Sequence, residues 1–488
     1  MTEQPKSAAS EKVFQFLLGA LAGGFILLYA GIALVRMGYP FEFEWMEGGQ
    51  VDHVLRILHG QSIYGEPSPE FVTFVYNPLY YYLAAGLSWI LGPGFIPLRL
   101  LSFLASVGIF AILFRLVHRE TGSRYAALIS AGLFAATYPL SGGWFDLGRV
   151  DSLFLCFLLA GFYKIRFDET LRGAVLAGLL FFLSFLVKQS AVIPAAAMML
   201  FLLFDDRRRS LVFAALSVGL SGLAVLLLNA IHHGWYMYVV TSAGNIPIEP
   251  PMILGFWTRD LAPRLLIATV LSGMVLAGLR TGEQRKFRFH IFMAAILLAL
   301  AWLGRIHNGG FINVLMPVHL ELAILTGLFV SVAFSQKSRV LRFASLIPLL
   351  AQFCFLIYPP ERMIPSAQDR RAGEEMIRRL RGIPGDVLIP YHGYYSTLAG
   401  KKPHAHIMTM IEVVISGDAA LSHKLVDEIR GEIHAQRYGA IVLDREWFRE
   451  DVEKYYVKAG RVFENDSVFW PVTGVRTRPE WIYVPRKP

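Results

Sequence analysis

The apolar positions of this chain fall in long, nearly uninterrupted runs, near 13–35, 96–117, 124–140, 149–165, 171–187, 189–204, 211–230, 263–280, 289–304, 311–334 and 339–358. Crossing the ~30 Å hydrocarbon layer of a membrane takes about 20 apolar residues, fewer where flanking side chains snorkel. The runs therefore predict eleven membrane spans. A further run, 77–92 (NPLYYYLAAGLSWILG), is short and carries Tyr80, Tyr81, Tyr82 and Trp89, side chains suited to the membrane–water boundary.

Two stretches break the pattern. Residues 41–64, FEFEWMEGGQVDHVLRILHGQSIY, place Glu42, Glu44, Glu47, Asp52 and His53 directly after the first span. Within this stretch Val51, Val54, Leu55 and Leu58 recur at i, i+3, i+4 and i+7, which predicts a short amphipathic helix over 50–59 that stops at Gly60. Asp52 and Arg56 sit four apart on its polar side and are expected to pair. After Tyr358, PPERMIP is a linker, and 366–488 is mixed and charged with no span. A helix at 369–382, a strand at 386–391, helices near 418–437 and 446–459, and strands at 438–444 and 481–484 predict a small α/β domain.

Composition supports a polytopic membrane protein. The 488 residues are 55% hydrophobic and only 17% charged, with mean hydropathy +0.48, whereas soluble domains carry about 25% charged residues. The polar N-terminus, 1–12, leads into a run with no small-residue cleavage site, so the first run is expected to stay as a span. Cys156 and Cys354 both lie in apolar runs and read as small buried hydrophobes, not as a disulfide or a metal pair.

Charge then constrains topology. The net charge of +9 sits mostly in short loops, where orientation signals belong, so it calls for no nucleic acid partner. Loops 118–124, 164–172, 205–210, 280–288 and 336–342 hold 15 Lys and Arg; the alternating loops 141–149, 188–189, 231–262 and 304–310 hold 4. The basic set is expected in the cytoplasm. Two arrangements satisfy this. The N-terminus is inside, 77–92 lies along the outer surface, and the 37–95 loop and residues 366–488 are outside; or the N-terminus is outside, with twelve spans.

Four polar clusters are candidates for chemistry. Glu44–Trp45–Met46–Glu47–Gly48–Gly49 offers a carboxylate as general base, with glycines that let a substrate approach the backbone. Its structural alternative is a solvated loop. Leu147–Gly148–Arg149–Val150–Asp151 offers either an Arg149–Asp151 pair or a phosphate-binding guanidinium, and Asp151 must be paired where it enters the membrane. Lys188–Gln189 offers a compact cation for a lipid phosphate or a snorkelling lysine. Arg305, His307 and, one turn into the next span, Asn313 form the fourth cluster. His232–His233 and His404/His406 lack acidic or Cys ligands at fitting spacings, so no metal site is assigned. A divalent cation (Mg or Mn) held by loop carboxylates stays open as the sole cofactor. P-loop, G-x-G-x-x-G and G-x-S-x-G motifs are absent from the sequence.

The order of motifs, an acidic loop, LHGQSIYGEP, VYNPLYYYL, an Arg99-led span, LGRVDSL, FLVKQSAV and HNGGFINVL, resembles the GT-C superfamily of membrane glycosyltransferases over roughly 13–358. It is most similar to bacterial relatives of protein O-mannosyltransferases and lipid A aminoarabinose transferases. The resemblance implies a mainly α, GT-C-like helix bundle with a small extracytoplasmic α/β domain, in the inner or plasma membrane. It implies hexosyl or pentosyl transfer, with inversion, from a polyprenyl-phosphate-linked sugar to an envelope glycan, lipid or protein on the outer face, and it favours the N-inside arrangement. It implies Glu47, or else Glu44, as the acid near the acceptor. Arg149, Asp151 and Lys188, with Gln189, Tyr76, Arg305, His307 and Asn313, are expected around the substrate. A transporter or flippase of lipid-linked glycans is the alternative, disfavoured because the polar groups cluster at one surface and no repeats are evident. A non-catalytic scaffold is the third.

Overall fold

The computed structural model of the protein describes residues 4–242 and 246–486. Residues 1–3 of the expected N-terminal segment and 243–245 of the expected 231–262 loop lie outside the described residues. The membrane part comprises α1 (Gln4–Met37), α2 (Glu47–Leu58), α3 (Leu79–Leu91), α4 (Phe95–Thr121), α5 (Arg124–Ala136), α6 (Asp151–Phe167), α7 (Leu171–Val187) and α8 (Val192–Asp205). α9 (Arg207–Ala214) and α10 (Leu220–Ile231) are joined into one rod by a π-helical stretch at Ala215–Gly219. After α11 (Trp235–Ser242), α12 (Pro250–Gly255) runs through a second π-helical stretch into α13 (Ala262–Leu279). α14 (Gln284–Arg305), α15 (Met316–Phe334) and α16 (Arg339–Phe355) complete the bundle.

The predicted basic loops meet at one end. Arg166 and Lys286 both reach Glu120, at 2.5 and 2.9 Å, and Arg209 and Arg285 both reach Asp205, at 2.9 and 3.3 Å. Phe14 packs on Phe343 at 4.8 Å, and the Tyr125 hydroxyl donates to the Gln15 carbonyl, so the starts of α1, α5 and α16 share that end. α3 does not cross. Asn77, just before it, contacts Phe185 and Tyr236 at the opposite end, and Phe95, just after it, meets Tyr394 of the C-terminal domain edge to face with ring centres 5.2 Å apart. α3 buries Tyr80, Tyr81 and Ala84 and leaves Trp89 and Ile90 exposed, the pattern of a helix lying along a membrane surface.

Each expected span corresponds to a helix or helix pair, but not each is long. Six elements are long and apolar enough to cross a membrane, up to seven with the bent pair that begins in α16, whereas Arg124–Ala136, Leu171–Val187 and Gln189–Asp205 are shorter. The 171–187 and 189–204 runs match their helices, whereas the 124–140 run overestimated its own, which ends at Ala136 because Thr137–Tyr138 leave the helical path and Tyr138 turns to Asp146. α15 is buried along nearly its whole length and forms the centre of the bundle. Leu27, Phe204, Leu226 and Leu266 point outward, apolar surface that suits contact with lipid. Cys354 is exposed on α16 and Cys156 only partly buried, so neither is the buried hydrophobe expected. The protein is a multi-pass membrane protein.

The C-terminal domain sits on the end opposite the basic loops. It contains α17 (Ala367–Gly382), β1 (Asp386–Leu388), α18 (Gly393–Leu398), α19 (Ile407–Ile415), α20 (Ala419–His434), β2 (Tyr438–Leu443), α21 (Arg449–Tyr455), β3 (Tyr456–Arg461) and β4 (Trp481–Pro485). The sheet order is β1-β2-β4-β3, with β1 parallel to β2 (Val387 opposite Ala440) and β4 antiparallel to both neighbours (Val442 opposite Ile482, Val457 opposite Val484). The helix expected at 446–459 ends at Tyr455 and continues as β3. β3 reads YVKAGR, too polar to announce a strand, because it is an edge strand that buries only Tyr456 and leaves most of its side chains in water. α18 and α19 were not anticipated either.

Candidate active site

At the end covered by the C-terminal domain, a network of charged side chains is almost wholly buried, where each ion must be compensated. Glu47 opens α2 and is fully buried. Arg99 of α4 donates to both its carboxylate oxygens at 2.8 Å, and the Phe43 and Gly148 amides donate at 3.0 Å each. Burial alone would raise its pKa, but Arg99 and the two amides outweigh burial and hold the carboxyl below the usual range. Arg99 also donates to the Tyr39 and Phe41 carbonyls and lies 3.9 Å from the centre of the Phe43 ring. The geometry of Glu47 is that of an anchor for the 39–47 turn.

Glu44 has a different setting. Its Oε2 accepts from Arg149 at 3.1 Å, and burial, opposed by Arg149, raises its pKa to about 7. Arg149 also donates to the Tyr76 hydroxyl at 3.0 Å, and its buried Nε has no hydrogen-bond partner. The expected alternative of an Arg149–Asp151 pair is not formed. Asp151 instead takes Lys188 at 2.8 Å and the Trp144 indole N–H at 2.8 Å. The Lys188 ammonium, 20% exposed, lies 6.0 Å from the Tyr76 ring centre, and the Arg149 guanidinium 5.6 Å from it on the same ring. Gln189 donates to the Val75 carbonyl at 2.6 Å and leaves its buried Oε1 unpartnered. The structure thus brings Glu44, Arg149, Asp151, Lys188, Gln189 and Tyr76 together.

The fourth cluster is engaged elsewhere. Arg305 pairs with Asp260 at 2.8 Å and donates to the Gly310 carbonyl. The His307 Nδ1 meets the Leu303 carbonyl at 2.6 Å, and the neighbouring backbone bridges to Ile248. Asn313 is buried in a single turn at Ile312–Leu315. Phe311, 5.4 Å from Trp144, links this loop to the network.

Two expectations about the first loop change. Asp52 and Arg56 do not pair: Arg56 turns to the Ser62 carbonyl at 2.9 Å and lies 4.1 Å from the Phe71 ring centre, while the buried Asp52 Oδ1 has no partner. Burial, then the nearby Glu42 charge, pushes Asp52 well above the usual carboxylate range. Gly48 and Gly49 are not openings for substrate. A Cβ on Gly48 would lie 2.1 Å from Glu42 Oε1 and 2.7 Å from Tyr394 Cβ, and one on Gly49 would lie 2.5 Å from the Phe74 ring.

The sequence reading missed the residues that the C-terminal domain contributes. His392 lies between Glu42 at 2.5 Å and Asp444 at 2.9 Å, and stacks on Tyr395 with ring centres 5.1 Å apart. Burial alone would lower its pKa, but the two carboxylates outweigh burial and raise it to about 10. The His406 Nε2 meets the Trp45 carbonyl at 3.0 Å. Glu412 of α19 is buried with Oε2 unpartnered, and burial raises it to about 8 against the attraction of Arg149. Among the described residues no group of three or more His, Cys, Asp or Glu is placed to hold a metal ion. Glu42, Glu44 and Glu47 each face a cation or a histidine.

Residues 75–235 match the family model of dolichyl-phosphate-mannose-protein mannosyltransferases. No curated protein matches the sequence significantly. Among solved structures, ArnT from Cupriavidus metallidurans in the apo state matches with TM-score 0.54 at 12% identity, covering 95% of this chain and 98% of ArnT. ArnT bound to undecaprenyl phosphate matches with TM-score 0.55 at 11% identity, covering 94% and 98%. The Archaeoglobus fulgidus oligosaccharyltransferase, in complex with Zn and sulfate, matches with TM-score 0.56 at 12% identity, covering 89% of this chain and 71% of that one. Family model and solved structures agree on one class, the GT-C membrane glycosyltransferases, and the chain has that fold.

Proposed function

We propose that the protein transfers a sugar from a polyprenyl-phosphate-linked donor to an acceptor hydroxyl at the membrane end covered by the C-terminal domain, which is the outer face. The observation that carries this reading is the pair of cations, Arg149 and Lys188, about one aromatic ring, with a near-neutral carboxylate, Glu44, on one of them. The match to ArnT bound to undecaprenyl phosphate supports a polyprenyl carrier. The opposite end holds the basic loops, which supports an outward site.

In this reading Arg149 and Lys188 hold the donor phosphate, and Glu44 is the general base. The acceptor oxygen attacks the anomeric carbon and forms the new glycosidic bond. Its proton passes to the Glu44 carboxylate, while the bond from the anomeric carbon to the phosphate oxygen breaks and leaves its electron pair on the phosphate. The phosphate thus gains one negative charge as Glu44 loses one. Arg149, paired with Glu44 beforehand, is released to the leaving group at the moment its charge appears. Glu47 and Arg99 hold the turn that carries Glu44. Glu412, a buried acid with a free oxygen, is available to a sugar hydroxyl.

The test is donor class. Purified protein in lipid vesicles is given labelled sugar on a polyprenyl phosphate or on a nucleotide, with envelope extract as acceptor. The reading expects release of polyprenyl phosphate and labelled acceptor from the first donor alone. Turnover of the nucleotide sugar without polyprenyl phosphate contradicts it.

A further inference from the structure

The 39–47 turn is gripped from two sides. On the bundle side Arg99 takes the Tyr39 and Phe41 carbonyls and the Glu47 carboxylate. On the other side the grip comes entirely from the C-terminal domain. His392, immediately before α18, joins Glu42 Oε2 to Asp444 at the end of β2, and the Thr477 hydroxyl donates to the same Asp444 oxygen. The Thr473 amide donates to the Phe43 carbonyl at 3.1 Å. Gly474, with φ of +81°, passes so close to Glu44 that a Cβ there would lie 2.7 Å from its Cγ. Glu44 therefore follows directly on two residues, Glu42 and Phe43, that are both held by the domain.

The chain of bonds from β2 to the turn is unusual in its burial. His392 is 3% exposed, Glu42 7%, and side-chain exposure of Asp444 is 1%. A carboxylate–histidine–carboxylate bridge closed off from water is costly to assemble unless all three members are paired, and here the imidazole can donate from both nitrogens only as the cation. A neutral His392 would leave one carboxylate facing a ring nitrogen lone pair. Such a bridge is directional and holds Glu42 in place, and misplacement of a reacting group by about 1 Å costs on the order of 100-fold in rate.

We propose that His392 is a positioning residue for sugar transfer: it couples the C-terminal domain to the 39–47 turn through Glu42 and so sets Glu44 against Arg149, which makes the domain an integral part of the transfer site. This rests on the reading of Glu44 as base. It predicts that His392 affects the chemical step and leaves donor binding at Arg149 and Lys188 largely intact, because none of its contacts reaches those side chains.

The experiment uses the full-length protein in vesicles and compares wild type, His392→Ala, His392→Gln and Glu42→Ala for kcat, donor KM and polyprenyl-phosphate binding by tryptophan fluorescence. The expected result for His392→Ala is a kcat lower by about 10- to 100-fold with donor KM and polyprenyl-phosphate affinity within about threefold. His392→Gln, which still donates to Glu42 but no longer to Asp444, recovers part of the rate. Glu42→Ala, which removes the other end of the same bond, matches the loss in His392→Ala and decides the matter if that variant fails to fold. A kcat within twofold of wild type in folded His392→Ala or in Glu42→Ala, or a loss carried entirely by donor KM, overturns the proposal. Glu44→Gln run alongside separates the two claims: an inactive Glu44→Gln with an active His392→Ala sinks only the positioning role, whereas an active Glu44→Gln sinks the assignment of the base itself.

Discussion

Replacing Glu47 by Gln removes one charge from an ion pair whose members are 0% and 1% exposed. It deletes the charged hydrogen bonds from Arg99 at 2.8 Å and turns an amide NH2 toward an N–H donor of Arg99 or of Gly148. Breaking a buried pair by removing one partner costs about 3–5 kcal/mol, because the remaining ion is left uncompensated. Arg99 keeps the Tyr39 and Phe41 carbonyls and the face of Phe43, so the lower end, about 3 kcal/mol, is expected. For a protein of 488 residues that is a fall of about 3 °C in apparent Tm. The assay is thermal unfolding in detergent, read with transfer activity per folded molecule at low temperature. Glu47→Gln should be unstable but retain a substantial fraction of its activity when folded. Arg99→Met combined with Glu47→Gln should regain about half of the lost stability or more, since no unpaired charge remains. A Glu47→Gln protein with wild-type Tm and activity reduced more than 100-fold would refute the reasoning and return Glu47 to the role of base.

Three further outcomes follow from the same geometry. Lys188→Met leaves Asp151 with only the Trp144 N–H and removes one phosphate contact; donor KM should rise by roughly tenfold or more while acceptor KM stays put, measured in initial-rate kinetics. Glu412 has a folded pKa of about 8 against an unfolded value near 4.5, so it is protonated in the folded state while the unfolded chain is ionised. Its burial therefore lowers stability as pH rises from about 4.5 to 8, by up to about 3 kcal/mol at pH 7, and Glu412→Gln should raise Tm at pH 7 but not at pH 4. Gly49→Ala should cost about 1–3 kcal/mol, because its Cβ would fall 2.5 Å from the Phe74 ring, and Gly48→Ala should cost more, wedged between Glu42 and Tyr394.

The helix bundle was legible because a lipid solvent writes itself into long apolar runs, and the basic loops marked which ends belong together. The acidic first loop and the Arg149 and Lys188 positions stood out as charges that lipid surroundings would not tolerate without a purpose. Their partners did not. Arg99 and Glu47 are 52 positions apart, and His392 and Glu42 are 350 apart. The pairing that distinguishes an anchor from a reactive acid is a property of the folded site, and two glutamates three residues apart carry no such label in sequence. The i, i+4 rule misled at Asp52 and Arg56 because aromatic stacking on Phe71 and the Ser62 carbonyl compete for the guanidinium. An arginine in the otherwise apolar IPLRLLSF was the one available signal that a buried carboxylate must lie opposite.

The most direct measurement is the pH dependence of sugar transfer from a labelled polyprenyl-phosphate donor by wild type and by Glu44→Gln. The wild-type kcat/KM should rise tenfold per pH unit below about 7 and level off above it as Glu44 ionises. Glu44→Gln should be slower by about 100-fold or more on the plateau, with that limb abolished and with polyprenyl-phosphate binding retained. A Glu44→Gln enzyme that keeps wild-type kcat and the same acid limb would contradict the account.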